Sequence, residues 1–195
     1  MNGDFFAMMF RMKNIGRWGL MRLIHNENLS EHSLECAFLA HGLAVIGNVC
    51  FGKSYDPELI AVKAMYHDAP EIITGDLPTP VKYFDDRTKD AYRSVESVAI
   101  DRFISYLPDE MRDYYKSMFS HSEDEHKLIK AADKLCAYIK CLTETELGNR
   151  EFRIALESTK KAIDGFGCEE LDYFMENCID SFKKSLDELQ ENHYK

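Results

Sequence analysis

An all-α, single-domain protein is predicted by three observations. Apolar residues recur at three- and four-residue offsets in segment after segment, and no stretch reads as a strand of consequence. Helix start signals stand where those segments open, at Ser30, at Asp56-Pro57-Glu58 and at Ser122 with Glu125, and Gly148 closes the last of these. The 195 residues suffice for one substantial core and are too few for two comfortable ones, so residues 1–195 read as one domain.

The first helix is expected from about Asp4 to Ile15, with Phe5, Met8, Met9 and Met12 on one face. Gly16-Arg17-Trp18-Gly19 breaks it, and an irregular connection runs to Leu29. Trp18 reads either as a lid over the core or as a pocket wall beside an anion-pairing Arg17. Ser30 looks like the N-cap of a second helix to about Asn48, burying Leu34, Ala37, Phe38, His41, Ala44 and Val45. Asp56-Pro57-Glu58 opens a third helix, with Ile60, Ala61, Ala64, Met65 and Asp68 in line. Thr74 to Pro80 holds one glycine and two prolines, a defined turn that projects Asp76 and Thr79.

A long helix is expected from Asp85 or Asp86 to about Tyr106, burying Ala91, Val95, Val98, Ala99 and Phe103. A short one follows Pro108. Ser122 and Glu125 form a capping box for a helix to about Leu147, with Leu128, Ile129, Ala132, Leu135, Cys136, Ile139 and Leu142 as its stripe. Two more helices, near Arg150–Ile163 and Glu169–Leu189, finish the chain, and the apolar stripe of the second closes the core or forms a subunit contact.

Composition narrows the function. A formal net charge of −10 excludes a general nucleic-acid surface, which needs a basic stripe, but leaves room for a small anionic substrate beside a local cation. The six cysteines form no CxxC pair and sit mostly in apolar helical patterns, as reduced structural thiols do. The short run Phe5 to Phe10 has no basic region before it, so no signal peptide is expected. No run approaches the ~20 apolar residues of a membrane span. A cytoplasmic location follows as the expectation.

The chemistry concentrates in Tyr66-His67-Asp68-Ala69-Pro70-Glu71. Asp68 shares a line with apolar side chains, and an inward carboxylate costs several kcal/mol unless a metal or cation partners it. Asp133 lies on the apolar stripe of its own helix, where a buried salt bridge, a backbone cap or a metal explains it equally well. His32 stands in a first helical turn, a place that usually abuts a cleft.

An early helical His, a His-Asp doublet and a later helical Asp is an arrangement that resembles HD-domain metal-dependent phosphohydrolases. The resemblance extends through Arg17-Trp18, Asn28 to Ser33, Thr74 to Lys82, Lys130 to Tyr138 and Leu171 to Glu176, and is closest to the bacterial HD-domain 5′-deoxynucleotidases. It implies a helical HD-domain bundle, often paired as a homodimer, that hydrolyses deoxyribonucleoside 5′-monophosphates to deoxynucleoside and phosphate with little choice among bases. It further implies metal ligands His32, His67, Asp68 and Asp133, and a catalytic Glu71. Arg17 would act in catalysis and binding, and substrate contacts would fall at Arg17, Trp18, His67, Asp76, Leu77, Pro78, Thr79, Lys82 and Asp133. One departure is Gly19, where the family pattern has proline.

Two imidazoles and two carboxylates suit one divalent transition metal, Mn, Co, Fe or Zn. Two rivals rank lower: another HD phosphohydrolase acting on a cyclic nucleotide or guanosine tetraphosphate, and a nucleotide sensor without turnover. The paired Arg17-Trp18 and Thr74-to-Lys82 loops argue against the first, and the intact ligand set with Glu71 argues against the second. No further histidine cluster serves a second metal: His121 and His126 flank a cap, and His193 lies in the tail.

Overall fold

A computed structural model describes residues 4–82 and 84–191, and His193 lies outside them. Among the described residues all regular structure is helical, apart from one isolated bridge between Gly16 and Asn28. The α-helices are α1 (Asp4–Met9), α2 (Leu29–Phe51), α3 (Pro57–Tyr66), α4 (Glu71–Thr74), α5 (Thr79–Lys82) and α6 (Asp86–Ile104). They continue with α7 (Asp109–Ser117), α8 (Glu123–Glu146), α9 (Arg153–Asp164), α10 (Glu169–Asn177) and α11 (Leu186–Glu191).

The bundle is built round α2, which packs on α3, α8 and α10 while α8 carries α9. Asn28 caps α2, accepting from the backbone N–H groups of Ser30 and Glu31, and Glu31 accepts in return from the Asn28 N–H. The cap therefore lies two residues before the expected Ser30. The expected buried face is corrected too: Leu34, Phe38, His41 and Val45 are exposed, and Cys36, Ala37, Ala40, Leu43, Ala44 and Gly47 are inside. A helix apolar on every side offers periodicity no face to choose. The small residues decide the matter by letting helices approach closely, and a Cβ on Gly47 would stand 2.5 Å from the Tyr55 ring. By length and composition α2 is also apolar enough to cross a membrane, contrary to the sequence expectation, although its inner face is committed to α3 and α8.

Two apolar clusters result. The larger joins α2, Ile60 and Ala64 of α3, the stripe of α8, and Ile163, Leu171 and Ile179. The smaller gathers Phe5, Ala69, Phe103, Ile104 and Leu107. Helix α1 ends at Met9, and a 3-10 turn at Met12–Asn14 replaces the expected continuation. In α6 only the C-terminal half reaches the smaller cluster, so Ala91, Val95 and Val98 face outward while Ala99 and Phe103 are buried. The capping box of Ser122 and Glu125 on α8 stands as expected. The expected final helix is broken. A 3-10 turn at Ile179–Lys183 interrupts it, Lys184 is extended, and Ser185 with Glu188 caps a separate α11.

The sequence also explains where α3 stops. Proline at position 70 has no N–H to donate and crowds the preceding turn, so α3 gives way at Tyr66. Successive tight turns, with Ala69 N–H on the Tyr66 carbonyl and Glu71 N–H on the Asp68 carbonyl, carry His67 and Asp68 across to α4. The doublet thus lies at the seam between the two clusters.

Candidate active site

His32 in the first turns of α2, His67 and Asp68 after α3, and Asp133 in mid-α8 converge, each offering one ligand atom within 4.8 Å of all the others. His32 Nε2 lies 3.3 Å from Asp68 Oδ2 and 3.4 Å from Asp133 Oδ1. His67 Nε2 lies 3.2 Å and 4.0 Å from the same two oxygens. The Nδ1 of His67 is 2.7 Å from the Ala64 carbonyl, which fixes a proton there and leaves Nε2 as a donor of electrons. Neither Nε2 makes a well-formed hydrogen bond, although both are buried. Buried polar atoms are rarely left so, and these two nitrogens, facing the same point as two carboxylate oxygens, fit the donor set of a single divalent ion.

The charges agree. Burial opposes protonation of His32, but the Asp133 and Asp68 carboxylates facing its Nε2 override it and raise its pKa to about 10. Burial likewise opposes a charged His67, and the Asp68 carboxylate beside it raises its pKa to about 9. Asp68 and Asp133 are held well below the usual carboxylate range despite burial, Asp68 by the two imidazoles and Asp133 by His32 and Lys130. Two anions at this point call for positive charge, which protons on the rings supply and a dication supplies in their place.

Arg17 reaches this centre from the loop between α1 and α2. Its Nη1 donates to Asp68 Oδ2 at 3.2 Å and stands 4.0 Å from Asp76, and its Nε donates to Glu27 at 2.8 Å. Trp18, in a left-handed conformation with φ of 61°, donates its indole N–H to the other Glu27 oxygen at 3.2 Å and packs on Phe152. Trp18 thus leans on the core, as the first of its two expected readings has it, and shares Glu27 with Arg17. Gly19 follows without constraint: a Cβ there would touch nothing within 4 Å.

Glu71, the first residue of α4, is 2 % exposed and accepts from Lys82 Nζ at 2.5 Å. Burial, seconded by the Asp68 charge, pushes its carboxyl up to about 7 against the pull of Lys82. Asp76, Leu77 and Pro78 form the irregular link to α5, and all three are half-buried. Thr79 opens α5, and its side chain lies outside the described residues. The structure thus brings Arg17, His32, His67, Asp68, Asp76 and Asp133 to one centre, with Trp18 held beside it through Glu27, while Lys82 is committed to Glu71.

Three supporting residues carry no mark in the sequence that singled them out. Glu27 holds Arg17 and Trp18 but sits in an irregular loop where no periodicity marks it. Glu144 on α8 is fully buried and accepts from the N–H groups of Ile24 and His25, from Lys140 and from Asn149, clamping that loop to the bundle. Its neighbours Thr143, Thr145 and Glu146 make it read as one more polar residue near a helix end. Tyr92 on α6 places its ring 4.9 Å from Lys82 Nζ.

A helical bundle able to hold one ion between two imidazoles and two carboxylates, with an arginine and an acid at its edge, defines a metal-dependent phosphomonoester hydrolase of the HD type. Residues 4–182 match the model of the YfbR-like 5′-deoxynucleotidases. The 5′-deoxynucleotidases of Enterobacter sp. (strain 638) and Escherichia coli (strain K12 / DH10B) are 46 % and 45 % identical over 191 residues, covering 96 % of each chain. Among solved structures, an HD-domain phosphohydrolase from Listeria innocua superposes with a TM-score of 0.81 at 22 % identity, over 92 % of this chain and 88 % of that one. A cyanophage S-2L HD phosphohydrolase, described as bound to dA and one catalytic Zn2+ ion, gives 0.62 at 18 % identity, over 90 % and 96 %. The chain belongs to the YfbR-like 5′-deoxynucleotidase family. Its activity is the metal-dependent hydrolysis of deoxyribonucleoside 5′-monophosphates to deoxynucleoside and phosphate.

Proposed function

We propose that this hydrolysis proceeds with His32, His67, Asp68 and Asp133 as metal ligands, Glu71 as general base and Arg17 as the phosphate's cationic partner. The convergence of four ligand atoms from three separate segments carries this reading. A divalent ion held there supplies Lewis acidity to a phosphoryl oxygen and lowers the pKa of a water. Manganese, cobalt, iron and zinc all suit two nitrogens and two oxygens, and a zinc ion is what the cyanophage relative is described as holding.

Arg17 presents a planar fork whose Nε is already taken by Glu27, so its Nη groups face the cleft, where phosphate oxygens compete with Asp68 and Asp76 for them. Glu71 takes the proton of the attacking water. The water oxygen bonds to phosphorus as the bond from phosphorus to the 5′-oxygen breaks, and the departing oxygen acquires a proton to balance the one taken. Positioning and charge stabilisation supply most of the acceleration in such a transfer. Asp76 and Thr79 are assigned to the 3′-hydroxyl, Leu77 and Pro78 stiffen their support, and Trp18 crowds the place of a 2′-hydroxyl. As metal ligands, His67 and Asp133 would also border the phosphate.

The working unit is assigned as a homodimer in the cytoplasm, acting on free mononucleotides and not on nucleic-acid polymers or at a membrane. The net charge of −10 supports the exclusion of polymers. The exposed apolar row Leu34, Phe38, Val45 and Val49 on α2 supports the pairing.

The test is phosphate release from a panel of deoxy- and ribonucleoside monophosphates with Mn2+ or Co2+, with and without chelator. Activity on the deoxy series that chelator abolishes and metal restores is the expected result. Replacing Asp133 by Asn should lower kcat by more than about a hundredfold, beyond what loss of an outer-shell partner costs. Tight binding of deoxynucleotides without release would favour a sensor instead.

A further inference from the structure

The four-residue helix α5 ends in Lys82, whose ammonium is engaged by Glu71. Lys82 Nζ lies 2.5 Å from Glu71 Oε1, and the Tyr92 ring on α6 covers the ammonium from 4.9 Å. The pair is largely closed off, with side-chain exposures of 19 % for Lys82 and 3 % for Glu71. The other oxygen, Oε2, is buried and has no hydrogen-bond partner. A carboxylate with one oxygen pinned and the other unengaged has a fixed orientation and a single oxygen left to work with. Lys82 in turn is tied to the loop before it, because the N–H groups of Val81 and Lys82 both donate to the Pro78 carbonyl, at 2.8 Å and 3.1 Å. The loop that carries Asp76, Leu77 and Pro78 therefore also sets the position of the ammonium that holds Glu71.

We propose that Lys82 is a positioning residue for the reaction: it grips one oxygen of Glu71, covered by Tyr92, so that the other oxygen is presented to the attacking water, and it does not bind the substrate's phosphate. The inference rests on Glu71 being the general base. The pinned oxygen restricts rotation of the carboxylate. A short ammonium contact under an aromatic ring also resists substitution by water.

The experiment is a double-mutant cycle on the metal-loaded enzyme with a deoxyribonucleoside monophosphate, measuring kcat and KM separately and thermal unfolding alongside. Lys82→Met should lower kcat by about tenfold or more, a part of the roughly 10²–10⁴ that a general base contributes, with KM within about threefold of wild type. Lys82→Arg, which keeps a cation on the site, should recover part of the kcat lost. Combined with Glu71→Gln, Lys82→Met should cost almost nothing further, because residues acting as one unit are strongly non-additive. A Lys82→Met enzyme with raised KM and unchanged kcat, whose loss persists in the Glu71→Gln background, would make Lys82 a phosphate ligand and overturn the proposal. A fall in kcat matched by a fall in Tm and not relieved by arginine would reduce Lys82 to a structural contact and overturn it equally. A Glu71→Gln enzyme of wild-type kcat would instead remove the general base, and the inference with it.

Discussion

Glu27 gives the residue scale its sharpest case, because one carboxylate sets both side chains expected to meet the nucleotide. Its two oxygens divide between Arg17 and Trp18, and the same group approaches His32 Nδ1 to 3.8 Å. Hydrogen bonds to charged groups contribute about 1.5–3 kcal/mol each. Replacing Glu27 by Gln should therefore raise KM for deoxynucleotides roughly tenfold and change kcat less, since the metal ligands keep their places. Steady-state kinetics over a substrate series checks this, and an effect confined to kcat would place Glu27 with the metal instead. Trp18→Ala tests the neighbouring assignment: the preference for deoxy- over ribonucleotides should shrink, and an unchanged ratio would take Trp18 out of sugar discrimination. Asp68 and Asp133 stood out because carboxylates on apolar stripes need an explanation, the resemblance added His32 and His67, and the fold brings the four side chains together. Glu27 did not stand out, because a carboxylate in an irregular, polar loop has many ordinary explanations and only the fold shows which donors it meets.

Elements position those residues through buried anchors, and α8 supplies two of them a few turns apart. Asp133 faces His32 and His67, while Glu144 holds the 20–28 loop through the Ile24 and His25 N–H groups, with Lys140 and Asn149 converging on the same fully buried carboxylate. Burial opposes the charge, but Lys140, Asn149 and two backbone N–H groups lower its pKa from 4.5 to about 2. A carboxylate whose folded pKa lies below its unfolded value stabilises the fold fully above that unfolded value. The contribution is lost as pH falls through the window from about 4.5 to about 2. At neutral pH it amounts to something on the order of 3 kcal/mol. Denaturant melts of Glu144→Gln should show a loss of that size at pH 7 that narrows progressively below pH 5. A pH-independent difference would mean that Glu144 acts by shape alone. Elements were read more surely at their ends than on their faces. Asp56-Pro57 and Ser122 with Glu125 marked true starts, because caps are local chemistry. The faces of α2 and α6 were misassigned, because a helix with apolar residues all round, or one that meets the core over half its length, is oriented by its neighbours and not by its own pattern.

For the molecule as a whole, the outward face of α2 is the open question. Leu34, Phe38, Val45 and Val49 recur at helical spacing and are 37–77 % exposed, on a helix otherwise dedicated to the core. That Leu34, Phe38 and Val45 look buried from sequence and are not is itself informative: α2 carries a second apolar face beside the one already used by α3 and α8. A single such row is smaller than the roughly 800 Å2 per partner of a standard interface, so Val62 and Met65 on α3, also exposed, would extend it. Pairing two copies through a shared patch is the commonest closed symmetry and buries the same residues on both sides. A charge placed on the row would then be buried twice in the dimer and left in water in the monomer. Phe38→Lys together with Val49→Lys should convert a dimer of twice 22.6 kDa into a monomer in sedimentation equilibrium, with the helical signal of the folded bundle intact. Because His32 lies on the buried side of the same helix, the monomer should still bind metal, and any loss of activity should follow protein concentration. A variant that remains dimeric would move the interface elsewhere, and a wild type that is monomeric at micromolar concentration would leave the row on α2 without a partner of its own kind.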